Sequence, residues 1–165
     1  MPCRTLLIVW LGGDGHGVAL RVVGYQFPDA DAPAQRFSWH MLEGSATCVD
    51  GSWQFRYPAL TCDESPRVGG WLRNVAAGCV MAVAVGDSGS SAELAFTEPN
   101  LSLAAFPSGR ATAMLDIGLA LEFAPPWWSG HGADAPYVIR CEMNREQLMQ
   151  AAADWEAEIG PYPDR

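Results

Sequence analysis

Lysine is absent from this 165-residue chain, and its ten positively charged side chains are all arginine. Nineteen acidic residues oppose them, so the net charge at pH 7 is −9. A surface this acidic repels phosphate backbones and anionic lipids, which argues against binding to nucleic acid or to a membrane surface. The same charge favours a basic protein partner through long-range attraction. The simpler interpretation is that the acidic surface serves solubility alone.

Closely spaced cysteines and long apolar runs are also missing. The five cysteines are scattered without a CxxC pair, which argues against a zinc ribbon or a disulfide scaffold and fits a reducing, cytoplasmic compartment. The apolar run Leu6–Leu11 is short and precedes a glycine-rich turn, so it predicts a strand and not a signal peptide. No stretch approaches the length of a membrane span.

No catalytic signature appears in the sequence. A P-loop, a GxSxG nucleophile elbow and an HExxH zinc motif are all lacking. His16, His40 and His131 do not stand at ligand spacing with one another or with the cysteines. Asp63 and Glu64 are adjacent, so on regular structure their carboxylates diverge instead of facing one substrate. The sequence therefore predicts a non-enzymatic protein with no catalytic residue, no metal site and no cofactor.

The residues that are present predict a mostly β globular protein. Seventeen glycines and twelve prolines provide many turns, and 49% of the residues are apolar, including seven tryptophans. A chain of this length can bury a core without disulfides and falls in the usual size range of one domain. We therefore expect a single globular domain over residues 1–165.

Short alternating runs separated by turn residues predict a sheet of about eight or nine strands. Residues 5–11 and 17–27 make a predicted hairpin across a glycine-rich turn. The dipeptide Asp50-Gly51 is a turn signal between two further alternating runs, and Val80–Val85 predicts a short strand. Because most consecutive strands are joined by short turns, we expect mainly antiparallel pairing.

Two segments have helical spacing. Residues 66–77 predict one helix in the middle of the chain, with Pro66 in its first turn. Asn144 and Gln147 stand at the spacing of a capping box, which predicts the start of a C-terminal helix. The predicted fold class is therefore α+β, with the C-terminal helix packed on one face of a mainly antiparallel sheet.

The clearest pattern lies in residues 92–127. From Ala113 to Phe123 the odd positions are apolar and several of the even positions are polar, which predicts one long strand. Before that strand, the turn Thr97–Asn100 separates two shorter alternating runs. This segment gives the clearest prediction of β-strands in the chain.

Two adjacent tryptophans follow the long strand and are candidate partner-binding residues. Pro125 and Pro126 stiffen the chain just before Trp127 and Trp128, which lowers the entropy lost when the indoles contact a partner. Tryptophan is also a preferred residue at interface hot spots. A tryptophan directly after a strand is commonly a lid on the core, so Trp128 is the stronger candidate of the two.

Four acidic residues in predicted loops are further candidates: Asp29, Asp31, Asp63 and Glu64. Together they could form a rim that contacts a basic protein partner. The simpler interpretation is that they are solvated loop charges. With Trp127 and Trp128 they make up the predicted partner-binding set.

Several short blocks together resemble a family of small bacterial proteins. The most specific block is FTEPNLSL at residues 96–103, and the resemblance extends from about residue 18 to the C-terminus. The other matching residues are framework positions in turns, core aromatics and strand ends: Gly24–Pro28, Gly51–Trp53, Leu60-Thr61, Trp71-Leu72, Glu122 and Pro125–Trp127. The named members of that family are WapI-type immunity proteins, which neutralise a nuclease toxin domain delivered between cells.

The resemblance implies a cytoplasmic binding protein that covers the basic active face of a toxin domain. The toxin and the contact residues do not carry over, because immunity surfaces diverge rapidly with their toxins. Two alternatives stay open: a β-sheet module that binds a small apolar ligand, and an enzyme without a recognisable motif. A neighbouring gene for a large secreted protein with a toxic C-terminal domain would favour immunity.

Overall fold

The chain folds into two four-stranded sheets in a computed structural model that describes residues 8–78, 92–130, 132 and 134–165. The first sheet contains, in chain and spatial order, β1 (Val9–Gly12), β2 (Gly17–Tyr25), β3 (Trp39–Cys48) and β4 (Gly51–Thr61). The second contains, in the same sense, β5 (Ala92–Leu94), β6 (Leu101–Pro107), β7 (Thr112–Leu119) and β8 (Tyr137–Asn144). Each neighbouring pair is antiparallel, which confirms the predicted α+β fold and its sheet content over the described residues.

Three α-helices accompany the sheets in the described ranges: α1 (Pro33–Arg36), α2 (Ser65–Ala76) and α3 (Arg145–Ile159). The middle and C-terminal helices are confirmed, and so is the capping box. The backbone N–H of Gln147 donates to the Asn144 side chain, and the Asn144 N–H donates to the Gln147 side chain, at 2.9 and 2.8 Å. The single turn α1 was not predicted; it begins at Pro33, whose fixed φ suits a first helical position.

The long strand predicted to run to Phe123 is wrong at its C-terminal end. Strand β7 ends at Leu119, and a 3₁₀ turn, Leu121–Phe123, follows. Leu121 has φ +52°, the one left-handed non-glycine backbone among the described residues, and this turns the chain out of the ladder. Phe123 lies in the 3₁₀ turn and is fully buried. The apolar alternation in the sequence therefore continues past the residue at which the strand ends.

Three other predicted boundaries need comment. Strand β2 stops at Tyr25 instead of residue 27. Cys48 pairs with Gly51, so the β3–β4 turn consists of Val49-Asp50 and lies one residue earlier than Asp50-Gly51. The strand predicted at Val80–Val85, and the first part of the one predicted at 5–11, lie outside the described residues.

Both sheets and both longer helices contribute to one hydrophobic core. Phe55 of β4 stacks on Phe123 with ring centroids 4.2 Å apart, and the indole N–H of Trp53 donates to the Phe123 carbonyl at 2.9 Å. These contacts join the last strand of the first sheet to the connection between β7 and β8. No helix in the described ranges is long and apolar enough to cross a bilayer.

Candidate partner-binding surface

Four aromatic rings meet where the β3–β4 turn approaches the connection between β7 and β8. Trp53 packs edge-on against Trp127 at 5.3 Å and against Tyr137 at 5.4 Å between ring centroids. Tyr137 in turn meets the edge of Trp128 at 5.2 Å. Edge-to-face contacts at these separations contribute about 0.5–1.5 kcal/mol each beyond the area they bury. The four rings therefore hold one another in place.

Trp127 and Trp128 are held in position with much of each indole open to solvent. Trp127 is 46% exposed and Trp128 is 37% exposed. The backbone N–H of Trp128 donates to the Pro125 carbonyl at 2.9 Å, and its indole N–H donates to the Ala135 carbonyl at 2.8 Å. The Trp127 ring lies against Gly51, where a Cβ would sit 2.9 Å from the ring. The fold thus requires a glycine at the start of β4 to seat this indole.

The β3–β4 turn adds an apolar and an acidic side chain to these rings. Val49 is 98% exposed at the turn, and the exposed carboxylate of Asp50 accepts a hydrogen bond from the Tyr137 hydroxyl. Cys48 lies 3.2 Å from the same hydroxyl. These two hydrogen bonds raise the pKa of Tyr137, and the bond to Asp50 has the larger effect. The phenol therefore remains a donor. We name Val49, Asp50, Trp127, Trp128 and Tyr137 the aromatic tip.

Three of the predicted acidic residues lie at the opposite end of the first sheet. Asp29, Asp31 and Asp63 are exposed. They follow Gln26 and Cys62, whose backbone N–H groups donate to the chain at the start of β3. Strand β3 has ten residues at about 3.3 Å per step, so its two ends are about 30 Å apart. The structure therefore separates these carboxylates from Trp127 and Trp128 instead of gathering all of them into one patch.

Glu64 occupies a structural position. Its side chain is 8% exposed, and the carboxylate accepts hydrogen bonds from the Thr97 N–H, the Thr97 hydroxyl and the Thr61 N–H at 2.7, 2.7 and 3.1 Å. Burial alone would raise the pKa of Glu64, but these bonds outweigh burial and lower it. The carboxylate therefore stays ionised and ties the start of α2 to the turn that begins at Thr97.

A histidine–serine pair that the sequence did not reveal lies near the chain end. His40 and Ser65 are both buried, with Nδ1 of the ring 2.7 Å from the Ser65 oxygen and Nε2 2.8 Å from the Tyr162 carbonyl. Because a carbonyl only accepts, Nε2 of the neutral ring donates to Tyr162 and Nδ1 is left as an acceptor. The Ser65 hydroxyl then donates to Nδ1 at 2.7 Å in preference to the Thr61 carbonyl, which lies 3.2 Å away. Both side chains are inaccessible to solvent. The pair therefore holds the C-terminal segment in place and does not present a nucleophile.

The His40 contact predicts an acid sensitivity. Burial lowers the pKa of His40 below its ordinary 6.5, against smaller opposing effects of the Tyr162 carbonyl and Asp164. The unfolded state then binds more protons, so this contribution to stability is complete above pH 6.5 and is lost as the pH falls through the lowered pKa. We expect urea unfolding at stepped pH to show this decline, with a slope of at most about 1.4 kcal/mol per pH unit from this group.

The His40→Gln variant provides the control for that slope. It removes the titrating ring and keeps a side chain that can hydrogen-bond, so its free energy of unfolding at pH 7 is lower but its decline between pH 7 and pH 5 is smaller. An unchanged slope in this variant would assign the acid sensitivity to other groups.

The two buried cysteines are protonated, and the described residues form no metal-binding group. Burial raises the pKa of Cys62 to about 12 and that of Cys141 to about 11, so both remain thiols at neutral pH. Within the described ranges, no three His, Cys, Asp or Glu side chains are grouped closely enough to hold a metal ion. His131 lies outside these ranges.

Comparison with protein families matches residues 8–163 of the chain to the immunity protein WapI-like family. The match spans both sheets and all three helices. The chain belongs to this family. Membership of the WapI-like family suggests an immunity function, and it implies a toxin as partner. No curated protein and no solved structure matches the chain.

In this WapI-like protein the FTEPNLSL block is part of the framework. Thr97 donates twice to Glu64, and the fully buried Asn100 donates from its side-chain amide to Glu122 at 2.7 Å. The N–H of Ala120 also donates to the Asn100 carbonyl at 3.0 Å. The block thereby connects α2 to the end of β7, from which the chain continues to the aromatic tip.

Proposed function

We propose that this WapI-like protein is a cytoplasmic immunity protein that neutralises a cognate toxin domain of the nuclease type. It acts without catalysis, by covering the active face of the toxin. The observation that carries the proposal is the family match over residues 8–163. The net charge of −9 supports a basic partner, because an acidic protein accelerates and stabilises its encounter with a cationic enzyme face. The same charge disfavours contact with nucleic acid or an anionic membrane.

Five of the six predicted contact residues are available for such a partner. Trp127 and Trp128 expose their indoles at one end of the first sheet, and Asp29, Asp31 and Asp63 are exposed at the other. We omit Glu64 from the contact set, because its carboxylate already accepts three hydrogen bonds inside the protein.

Co-expression tests the proposed function. The probe is the C-terminal domain of a large secreted protein encoded beside the gene for this chain. We expect that domain to reduce viability when it is expressed alone, co-expression of this chain to restore growth, and the two proteins to purify as a complex that high salt weakens. An acidic protein of similar size and charge from another family serves as the control. A harmless domain, or failure of the two chains to co-purify, contradicts the proposal.

A further inference from the structure

We propose that the aromatic tip is the docking surface for the toxin and that it binds a positively charged, arginine-bearing segment of that protein. This inference rests on the proposed function and specifies which of the two ends of the first sheet makes the contact. The carboxylates Asp29, Asp31 and Asp63, about 30 Å away, then lie outside the centre of the interface. A standard interface covers about 800 Å² per partner, so both ends cannot be central to one contact.

The charge around the aromatic tip selects a cationic partner. No arginine occurs between Arg110 and Arg140, a stretch that includes Trp127, Trp128 and Tyr137. The exposed carboxylates in the tip and in the connection between β7 and β8 are Asp50, Glu122 and Asp134. The first arginine beyond the tip, Arg140, is occupied, because it donates to both oxygens of Asp116 at 2.6 Å. The tip therefore has negative charge and an aromatic surface, and the stretch that contributes its three aromatic residues has no arginine.

Exposed apolar side chains also lie in the tip and in the connection between β7 and β8 that carries its two tryptophans. Val49, Leu121, Trp127 and Trp128 are four of the nine exposed large apolar side chains among the described residues. Leu121 adopts a left-handed backbone conformation, which is unfavourable for leucine, and its side chain remains exposed. Strained residues persist where the surrounding structure holds them and are common at binding sites. A strained and exposed leucine in the connection that carries Trp127 and Trp128 is consistent with a contact surface.

The tip is organised before any partner arrives. The edge contacts to Trp53 and Tyr137 and the indole bond to Ala135 fix both tryptophans, so little side-chain entropy remains to be lost on binding. Asp50 is likewise oriented by the Tyr137 hydroxyl. Arginine suits this arrangement because its guanidinium stacks on an indole face while its N–H groups bond a carboxylate.

Binding measurements with the toxin domain described above test the location. We expect Trp128→Ala and Trp127→Ala each to weaken binding about 30-fold, the effect of a hot-spot residue. Trp10→Ala is the matched control, since Trp10 is 39% exposed and lies outside the tip. We expect Asp50→Asn to weaken binding more than Asp63→Asn. Circular dichroism confirms that each variant is folded. Wild-type affinity in the folded tip variants overturns the proposal while leaving the immunity function intact.

A pair of synthetic peptides tests the chemistry independently of the toxin. One peptide carries arginine and the other carries citrulline, which has nearly the same shape without the charge. We expect the indole N–H signals of Trp127 and Trp128 to shift in NMR spectra with the arginine peptide and not with the citrulline peptide. If the toxin fails to bind but these shifts appear, the proposed function is wrong and the cation-binding tip stands. Equal shifts of the Trp10 signal, or none at the tip, overturn the proposal.

Discussion

The Trp155→Ala variant is expected to lose about 3–5 kcal/mol of unfolding free energy, the usual range for removing a buried tryptophan. Trp155 of α3 is fully buried, and its indole N–H donates to the Ser65 carbonyl at the start of α2 at 2.7 Å. Alanine leaves a large cavity and removes a buried hydrogen bond that joins the two helices. Urea unfolding followed by circular dichroism measures the loss.

Two further substitutions separate the causes of that loss. Trp155→Phe keeps an aromatic ring and removes the N–H donor, so we expect a smaller decrease than for alanine. Trp10→Ala removes the same side chain from an exposed site, where substitutions have small effects. Equal stability of the Trp155→Ala and Trp10→Ala variants would show that the contact between α2 and α3 does not stabilise the fold.

Elements encoded by neighbouring residues could be predicted from the sequence. The capping box at Asn144 and Gln147 depends on a spacing of three residues, and both of its hydrogen bonds form. The middle helix follows from local spacing in the same way, and it spans Ser65–Ala76. In both cases the signal and the structure that it encodes lie within a few turns of chain.

Features that depend on distant residues could not be predicted. The apolar alternation continues through Phe123, whereas the strand ends at Leu119 and the chain turns at the left-handed backbone of Leu121. The aromatic tip joins the turn after Cys48 to Trp127 and Tyr137, which are far apart in sequence. Two Trp residues after two prolines indicated part of this surface, but no local pattern showed that Asp50 would lie beside them.

The role of Glu64 also depends on a distant residue and could not be predicted from its neighbours. Its substitution is the second large effect that we expect. The sequence placed it beside Asp63 in a loop, whereas Thr97, 33 positions away, makes it structural. We expect Glu64→Ala to lower the free energy of unfolding by about 2–3 kcal/mol, because charge-assisted hydrogen bonds are strong and their donors lose a partner. Asp63→Ala, at the exposed neighbouring carboxylate, should change stability by less than about 0.5 kcal/mol.

The pH dependence of the Glu64 effect identifies the ionised carboxylate as its source. Hydrogen bonds from Thr97 and Thr61 outweigh burial and lower the pKa of Glu64 below its ordinary 4.5. The stabilisation is therefore complete above pH 4.5 and is lost as the pH falls through the lowered pKa. The difference between wild type and Glu64→Ala should stay constant from pH 8 to pH 5 and shrink in more acidic solution. Glu64→Gln, which keeps the shape without the charge, should give an intermediate loss of stability. A difference that persists unchanged into acid would mean that packing of the side chain, and not its charge, joins α2 to the Thr97 turn.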